Sequence, residues 1–364
     1  MPRKPATTSA TLSDVAKAAG VSIATASMVL NPTERTAKVS DERTALVKAA
    51  AERLGYVANY HARAMHLGRA ETLGFALDYG VAGQQADDEP MGVGYFHHLT
   101  MGIETETHFV GYNLALIGPG VEERAVDRGV HQLQQRRLDA LIVPAVLSSV
   151  RLHKLIGEQP DLPIVLIEHD GASAFPVVHY DEAAGVRTAV EHLASLGHRE
   201  LLWLGPADPG PLARAGMFDQ AVRGAGVAGS QLTFSIPEPR YHRSSIINGA
   251  TAALTQRLRQ PRTFTGIVCY NDFTAVGAYA ALLSAGISIP RQMSVVGFDD
   301  FFAAYVHPRL TTVSHMLVQM GRRAAELALE MADGPAARAR LKGYRDVLVP
   351  ELVRRDSTAP SPMP

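Results

Sequence analysis

Two short helical patterns meet at Gly20-Val21-Ser22, with too few residues between them for anything but a tight turn. This junction constrains the fold of the amino-terminal region more than any other feature of the chain. Thr11-x-x-Asp14 has the form of a capping box, so the first helix is expected to start near Ser13. Val15, Ala16 and Ala19 follow at helical spacing, and Gly20 permits the positive φ of a sharp helix end. Ser22 is placed to cap a second helix over 23–30, whose Ala26, Val29 and Leu30 can face the first. Small residues let the two helices cross closely. The pattern is that of a helix-turn-helix, whose second helix is shaped to lie in a DNA major groove.

Charge is distributed accordingly. Residues 1–69 hold ten Lys/Arg and five Asp/Glu, a surplus of 10 − 5 = +5, whereas the whole chain carries −1, leaving −6 for the remainder. A basic head on an acidic body is the asymmetry of a DNA reader with a separate second function.

The head resembles that of the lactose/galactose repressor (LacI/GalR-type) family of bacterial transcription regulators. The resemblance rests on Asp14-Val15-Ala16, Ala19-Gly20-Val21-Ser22, Thr25-x-Ser27-x-Val29-Leu30-Asn31, Val39-Ser40, Leu54-Gly55-Tyr56 and Asn59-x-x-Ala62-Arg63. It implies a DNA-binding surface made from Thr11, Ser22, Ile23, Ala24, Thr25, Ser27, Met28, Asn31, Tyr56, Asn59, Ala62, Arg63 and Met65. Residues 58–67 can form two turns of helix capped by Asn59, too short to be stable alone. In the family such a hinge orders when two copies pair over the minor groove, and an apolar side chain, at Met65 here, wedges into a base step. The family's usual leucine, its proline at position 58 and its arginine at position 28 are replaced by Met65, Ala58 and Met28. A plain linker helix is the other reading of 58–67.

At 364 residues the chain can bury a large core beyond such a head. No apolar run approaches the ~20 residues of a membrane span, and the first residues lack the apolar stretch of a secretory signal. The single cysteine, Cys269, excludes an intrachain disulfide and reads as a buried small hydrophobe in a reducing, cytoplasmic compartment. The Pro/Ser-rich residues 354–364 are expected to be a disordered tail.

From residue 72 onward, short apolar runs alternate with helical patterns. Strands are expected over 72–78, 113–117, 140–144, 163–168, 176–179, 200–205, 232–236, 266–270 and 294–297, and helices over 122–137, 183–196, 212–225, 246–259 and 274–285. Continuous apolar strands between helices indicate parallel sheets covered on both faces. So many strands predict two Rossmann-like subdomains with a cleft between them. The family markers continue in His192-Leu193-x-x-Leu196-Gly197-His198-Arg199, Tyr270-Asn271-Asp272, Ser294-Val295-Val296-Gly297-Phe298-Asp299-Asp300 and Pro308-x-Leu310-Thr311-Thr312-Val313. They imply a body similar to periplasmic sugar-binding proteins. The expected layout is therefore an all-α head over 1–57, a hinge and linker over 58–71, and an α/β body over 72–353. Subdomain one would be 72–170 plus 301–334, and subdomain two 171–300 plus 335–353.

By that resemblance the cleft binds a small effector, most simply a sugar or sugar derivative, and the chain acts as a homodimer on operator DNA. Phe96 would stack on a ring face, with Glu168, Asn271, Asp272 and Asp299 at carboxyl ends of strands, where open α/β sheets bind ligands. The family arginine, counted back from Gly216, falls on Ala213. Either Arg214 stands in through a local shift, or the pocket lacks a guanidinium. Residues 80–94 form an unusual loop, either a lid over the cleft or plain surface.

Enzymatic function is the competing class. Among the 14 histidines, His97 and His98 are adjacent and point apart on a helix, unsuited to chelating one metal. No H-E-x-x-H, phosphate-cradling glycine loop with lysine, or G-x-S-x-G elbow occurs. No catalytic residue, metal or cofactor is therefore expected. An exported sugar-binding protein, the third class, would need a signal and no basic head.

Overall fold

The computed structural model describes residues 10–30, 39–57, 68–77, 92–118, 124–144, 152, 154, 157–169, 171–207, 214–236 and 243–362. They form two compact units, 1–71 and 72–364.

In the head, α1 (Leu12–Ala19), α2 (Ile23–Leu30) and α3 (Asp41–Leu54) pack around Val15, Ala16, Ala26, Val47, Ala50 and Ala51. Such a core of small side chains gains little per residue, since each buried methylene contributes about 0.8 kcal/mol. Helix ends therefore weigh heavily. The capping box is present: Asp14 N donates to Thr11 Oγ1 (3.3 Å) and Thr11 N to Asp14 Oδ2 (2.9 Å), which starts α1 one residue earlier than expected. Gly20 closes α1 at φ 65°, and Ser22 Oγ accepts from Thr25 N at 3.1 Å, capping α2.

The body contains twelve described strands in two sheets. The first has the order β11-β5-β4-β3-β1-β2, with β1 (Thr72–Ala76), β2 (Asn113–Ile117), β3 (Ala140–Pro144), β4 (Ile164–Ile167), β5 (Val177–Tyr180) and β11 (Arg345–Leu348). The second has the order β12-β10-β9-β8-β6-β7, with β6 (Glu200–Pro206), β7 (Ala228–Phe234), β8 (Gly266–Cys269), β9 (Ser294–Asp299), β10 (Thr311–Ser314) and β12 (Glu351–Val353). All pairings are parallel except β10 with β12. The central strands β1 and β3 are buried along their whole length, because helices cover both faces of the sheet. All nine expected strands form, although the one placed at 232–236 begins earlier, at Ala228.

The helices of the body are α4 (Gly92–Phe109), α5 (Ala125–Gln134), α6 (Glu182–Ser195), α7 (Arg214–Ala225), α8 (Arg243–Arg257), α9 (Asp272–Ser284), α10 (Leu317–Ala332) and α11 (Pro335–Leu341). α4 and α10 meet backbone to backbone. A Cβ at Gly102 would lie 2.0 Å from the Val318 carbonyl oxygen, and one at Gly321 2.3 Å from that of Leu99. Glycine at both positions is what allows this approach.

The sheets divide the chain differently from the expected boundaries. β5 pairs with β4 and β11 with β5, so residues 177–180 and 345–348 belong to the first sheet. β10 pairs with β9, which puts 311–314 in the second. Pairing of distant strands overrides proximity in sequence here. The chain crosses between sheets three times: after Tyr180 into α6, after Ser314 into α10, and after Leu348 into β12.

The expectation of a disordered tail is also corrected. Residues 355–361 lie along the second sheet. Arg355 N donates to Thr311 Oγ1 (2.9 Å), Ser357 Oγ to the Val295 carbonyl (2.6 Å), and Ser361 N to the Leu196 carbonyl (2.8 Å). His198, fully buried, contacts Thr265 Oγ1 (2.7 Å), Ser294 Oγ (3.0 Å) and the Ala359 carbonyl (3.0 Å). The small polar residues that resemble a disordered composition are the groups that tie this segment down.

Candidate functional site

The chain crossings bring together side chains from distant parts of the sequence. Arg214, the first residue of α7, is 1 % exposed. Its Nε and Nη2 donate to Glu182 Oε2 (2.6 Å) and Oε1 (3.1 Å), and its Nη1 donates to the Tyr270 carbonyl (2.5 Å). The guanidinium lies 3.9 Å from the Phe298 ring centroid. Glu182 opens α6 at the first crossing. Burial opposes its charge, but Arg214 and His315 outweigh burial and hold its pKa at about 2.

His315 stands at the second crossing. Its Nδ1 is 3.0 Å from Asp299 Oδ1, and its Nε2 is 3.5 Å from both Glu168 Oε1 and Glu182 Oε1 and 3.3 Å from Arg214 Nη2. Its ring packs on Tyr180 at 4.6 Å. Burial disfavours the imidazolium, yet Asp299 and Glu182 together push the pKa up to about 10. Glu168 follows β4 in the first subdomain, while Glu182 and Asp299 belong to the second. His315 therefore bridges the two. Tyr95 OH donates to Glu168 Oε2 at 2.5 Å. At another point across the subdomains, His98 of α4 stacks on Phe301 at 5.2 Å.

Six non-glycine residues are described with positive φ, and four border this cluster: Glu168 (57°), Asp299 (107°), Asp300 (64°) and Met316 (53°). Each such backbone costs about 1–3 kcal/mol, and residues held in this way concentrate at ligand sites.

Of the residues expected in the pocket, Glu168, Arg214 and Asp299 come together here. Of the two readings of the arginine, the geometry fits the first: Arg214 brings a guanidinium to this cluster. Phe96 is a correction: it is buried in the core at 6.2 Å from Phe75, and its neighbour Tyr95 reaches Glu168. Asn271 caps α9, its Oδ1 accepting from Thr274 N (2.9 Å) and Oγ1 (2.8 Å). Asp272 is fully buried and accepts from Thr312 Oγ1 (2.7 Å) and Phe301 N (3.2 Å), so it fastens the loop after β9. Burial and the neighbouring Asp299 push its pKa well up. Glu182, His315 and Tyr95 were not expected at the site. No local signal marks Glu182 or His315, because each reaches the cluster only through the pairing of β5 with β4 and of β10 with β9. One atom each from Glu168, Glu182 and His315 lies within 4.8 Å of the others, close enough to hold a cation.

In the head, Ser22, Ile23 and Ala24 are exposed at the start of α2, and Thr25, Ser27 and Met28 are half-exposed on it. Thr11 is exposed beside α1, and Tyr56 packs against the head core. Asn31, Asn59, Ala62, Arg63 and Met65, with the rest of the hinge and residues 80–91 of the loop, lie outside the described residues.

A helix-turn-helix head and a body of two largely parallel sheets, with a charged cluster where the chain crosses between them, define a ligand-responsive DNA-binding regulator. Known proteins agree with that class. Residues 11–59 match the model of bacterial regulatory proteins of the lacI family, and residues 190–358 that of the periplasmic binding protein-like domain. The chain is 33 % identical over 358 residues to the HTH-type transcriptional regulator GalR of Escherichia coli K12, covering 96 % of each protein. It is 28 % identical over 355 residues to the ribose operon repressor of the same organism, covering 96 % of this chain and 99 % of that protein. Among solved structures, the lac repressor dimer bound to operator and the anti-inducer ONPF shares its fold (TM-score 0.71, 23 % identity, 96 % of this chain and 99 % of that one). The chain belongs to the lacI family of bacterial regulatory proteins, which are transcription regulators and not enzymes. Among the described residues, no helix is long and apolar enough to cross a membrane.

Proposed function

We propose that this protein is a homodimeric repressor whose affinity for operator DNA is set by a hydroxyl-rich small molecule, a sugar or sugar derivative, bound between the two body subdomains. The observation that carries this reading is the cluster of Arg214, Glu182, His315, Asp299 and Glu168, gathered at chain crossings and joining the subdomains. A ligand there changes the spacing of the two halves, between which the chain crosses at three described points. It shifts DNA affinity by its differential affinity for the two body states.

The head would present Thr11, Ser22, Ile23, Ala24, Thr25, Ser27 and Met28, with Asn31 and Tyr56 beside them, to one half-site. Asn59, Ala62, Arg63 and Met65 of paired hinges would take the minor groove. Two heads per dimer call for a near-palindromic operator. Operator binding by the full chain, followed by fluorescence anisotropy with a panel of pentoses, hexoses and disaccharides, tests the proposal. Half-site spacing should match a two-fold dimer, affinity should fall steeply with salt as phosphate contacts release counterions, and at least one sugar should change it. A monomer protecting a single half-site, or indifference to the whole panel, contradicts it.

A further inference from the structure

The described groups of the cleft do not balance in charge. Glu168, Glu182 and Asp299 bring three carboxylates, and Arg214 brings one permanent cation. With His315 held as an imidazolium between Asp299 and Glu182, the sum is −1. Asp300 does not enter, because Arg355 Nη2 pairs with it at 2.7 Å.

The surplus falls on Glu168. Glu182 has both oxygens on Arg214, and Asp299 has His315 Nδ1 at 3.0 Å with Arg214 Nη1 at 3.9 Å. Glu168 has a neutral phenol on Oε2, while its Oε1 has His315 Nε2 only at 3.5 Å. Its side chain is also the most exposed of the three, at 17 % against 7 % and 9 %. Among the described residues the one guanidinium at the site, Arg214, already donates from all three of its nitrogens, twice to Glu182 and once to the Tyr270 carbonyl. A ligand carboxylate or phosphate would meet the charge of Glu168, and Arg214 could not offer it the bidentate edge already given to Glu182.

We propose that the effector carries a positive charge: a hydroxyl-rich amine, such as an amino sugar, whose ammonium seats against Glu168 Oε1. This rests on the effector cleft proposed above. The hydroxyls account for specificity of shape, and the ammonium completes a partly buried carboxylate whose cationic neighbour, His315, is shared with Glu182 and Asp299.

The test is isothermal titration of the full chain at neutral pH with matched sugars of the gluco, galacto, manno and ribo series. Each series comprises the neutral sugar, amino derivatives at the first and last carbons that carry the substitution, and the corresponding acid. An amine in one series should bind about tenfold or more tightly than its neutral parent, the difference between a charge-assisted and a neutral hydrogen bond, and the acid should bind weakest. In Glu168→Gln the preference for the amine should shrink to within about twofold. Binding of a neutral sugar or an acid at least as tight as the amine overturns this inference and leaves the effector reading standing. Binding by no sugar of any charge overturns both. Saturable binding of Zn2+ or Mn2+ alone, lost in Glu168→Gln, overturns it by giving the surplus charge to a metal ion.

Discussion

Arg214 holds both carboxylate oxygens of Glu182, at 2.6 and 3.1 Å, where the chain first passes from one sheet to the other. Both side chains are nearly free of solvent, at 1 % and 7 % exposure. Removing one partner leaves the other as a buried charge. Arg214→Met should therefore cost about 3–5 kcal/mol of stability, and Arg214→Met with Glu182→Leu should recover much of it. Urea unfolding of the two variants measures this. A single variant as stable as the parent would show that the pair is not desolvated.

Met28 lies half-exposed on α2 and does not belong to the apolar set packed around the head core. A thioether offers no donor to guanine O6 and N7, but it can contact a thymine methyl. The operator should show low guanine preference at the base pair facing this residue. Met28→Arg should raise that preference by ~1–3 kcal/mol, the value of a good bidentate contact. Binding-site selection with both proteins reads it. Identical preferences at every position would show that residue 28 does not read DNA.

The parts of this structure that were legible in the sequence are those fixed locally. Thr11, Gly20 and Ser22 announce their helix ends because caps depend on three or four consecutive residues. Glu168 and Asp299 were legible because each follows a continuous apolar strand, and ligands gather at such ends. His315 and Glu182 were hidden, since their meeting depends on which sheet β5 and β10 join, and distant partners decide that. Tyr95 and Phe96 were exchanged for a related reason. The resemblance assigned Phe96 by position, whereas the rotation of α4 is fixed by the contact of Gly102 and Gly321 with the facing backbone, and Tyr95 is the residue that reaches Glu168. The tail was misread because composition records polarity and not the partners that satisfy it.

That tail supplies a third prediction. Ending the chain after Val353 removes Ser357, whose Oγ donates to the Val295 carbonyl and accepts from Thr311 N at 2.8 Å. It also exposes His198. The loss should exceed about 2 kcal/mol, since several buried hydrogen bonds go at once. A truncated chain with an unchanged urea midpoint would return residues 355–361 to the status of a passive extension.

The same region should respond to acid. His192 contacts Thr358 Oγ1 at 3.0 Å, and burial, with Arg354 and His198 nearby, lowers its pKa from 6.5 to about 4. The folded state therefore binds fewer protons than the unfolded state between those values. This contribution is complete above pH 6.5 and is lost as pH falls through about 4. The urea midpoint should decline across that window, and His192→Gln should flatten the decline. A parent protein equally stable from pH 7 to pH 4 would contradict the burial of this imidazole.

The most direct test of the account is the operator affinity of the full chain with and without its saturating sugar effector, measured for the parent and for Asp299→Ala. Asp299 faces both His315 and Arg214, and a ligand hydroxyl on such a buried acceptor contributes about 1–3 kcal/mol. The parent should change its operator Kd about tenfold or more when the sugar is added. Asp299→Ala should change by less than about twofold at the same sugar concentration. A variant that responds to the sugar as fully as the parent would place the effector elsewhere and contradict the role assigned to the cleft.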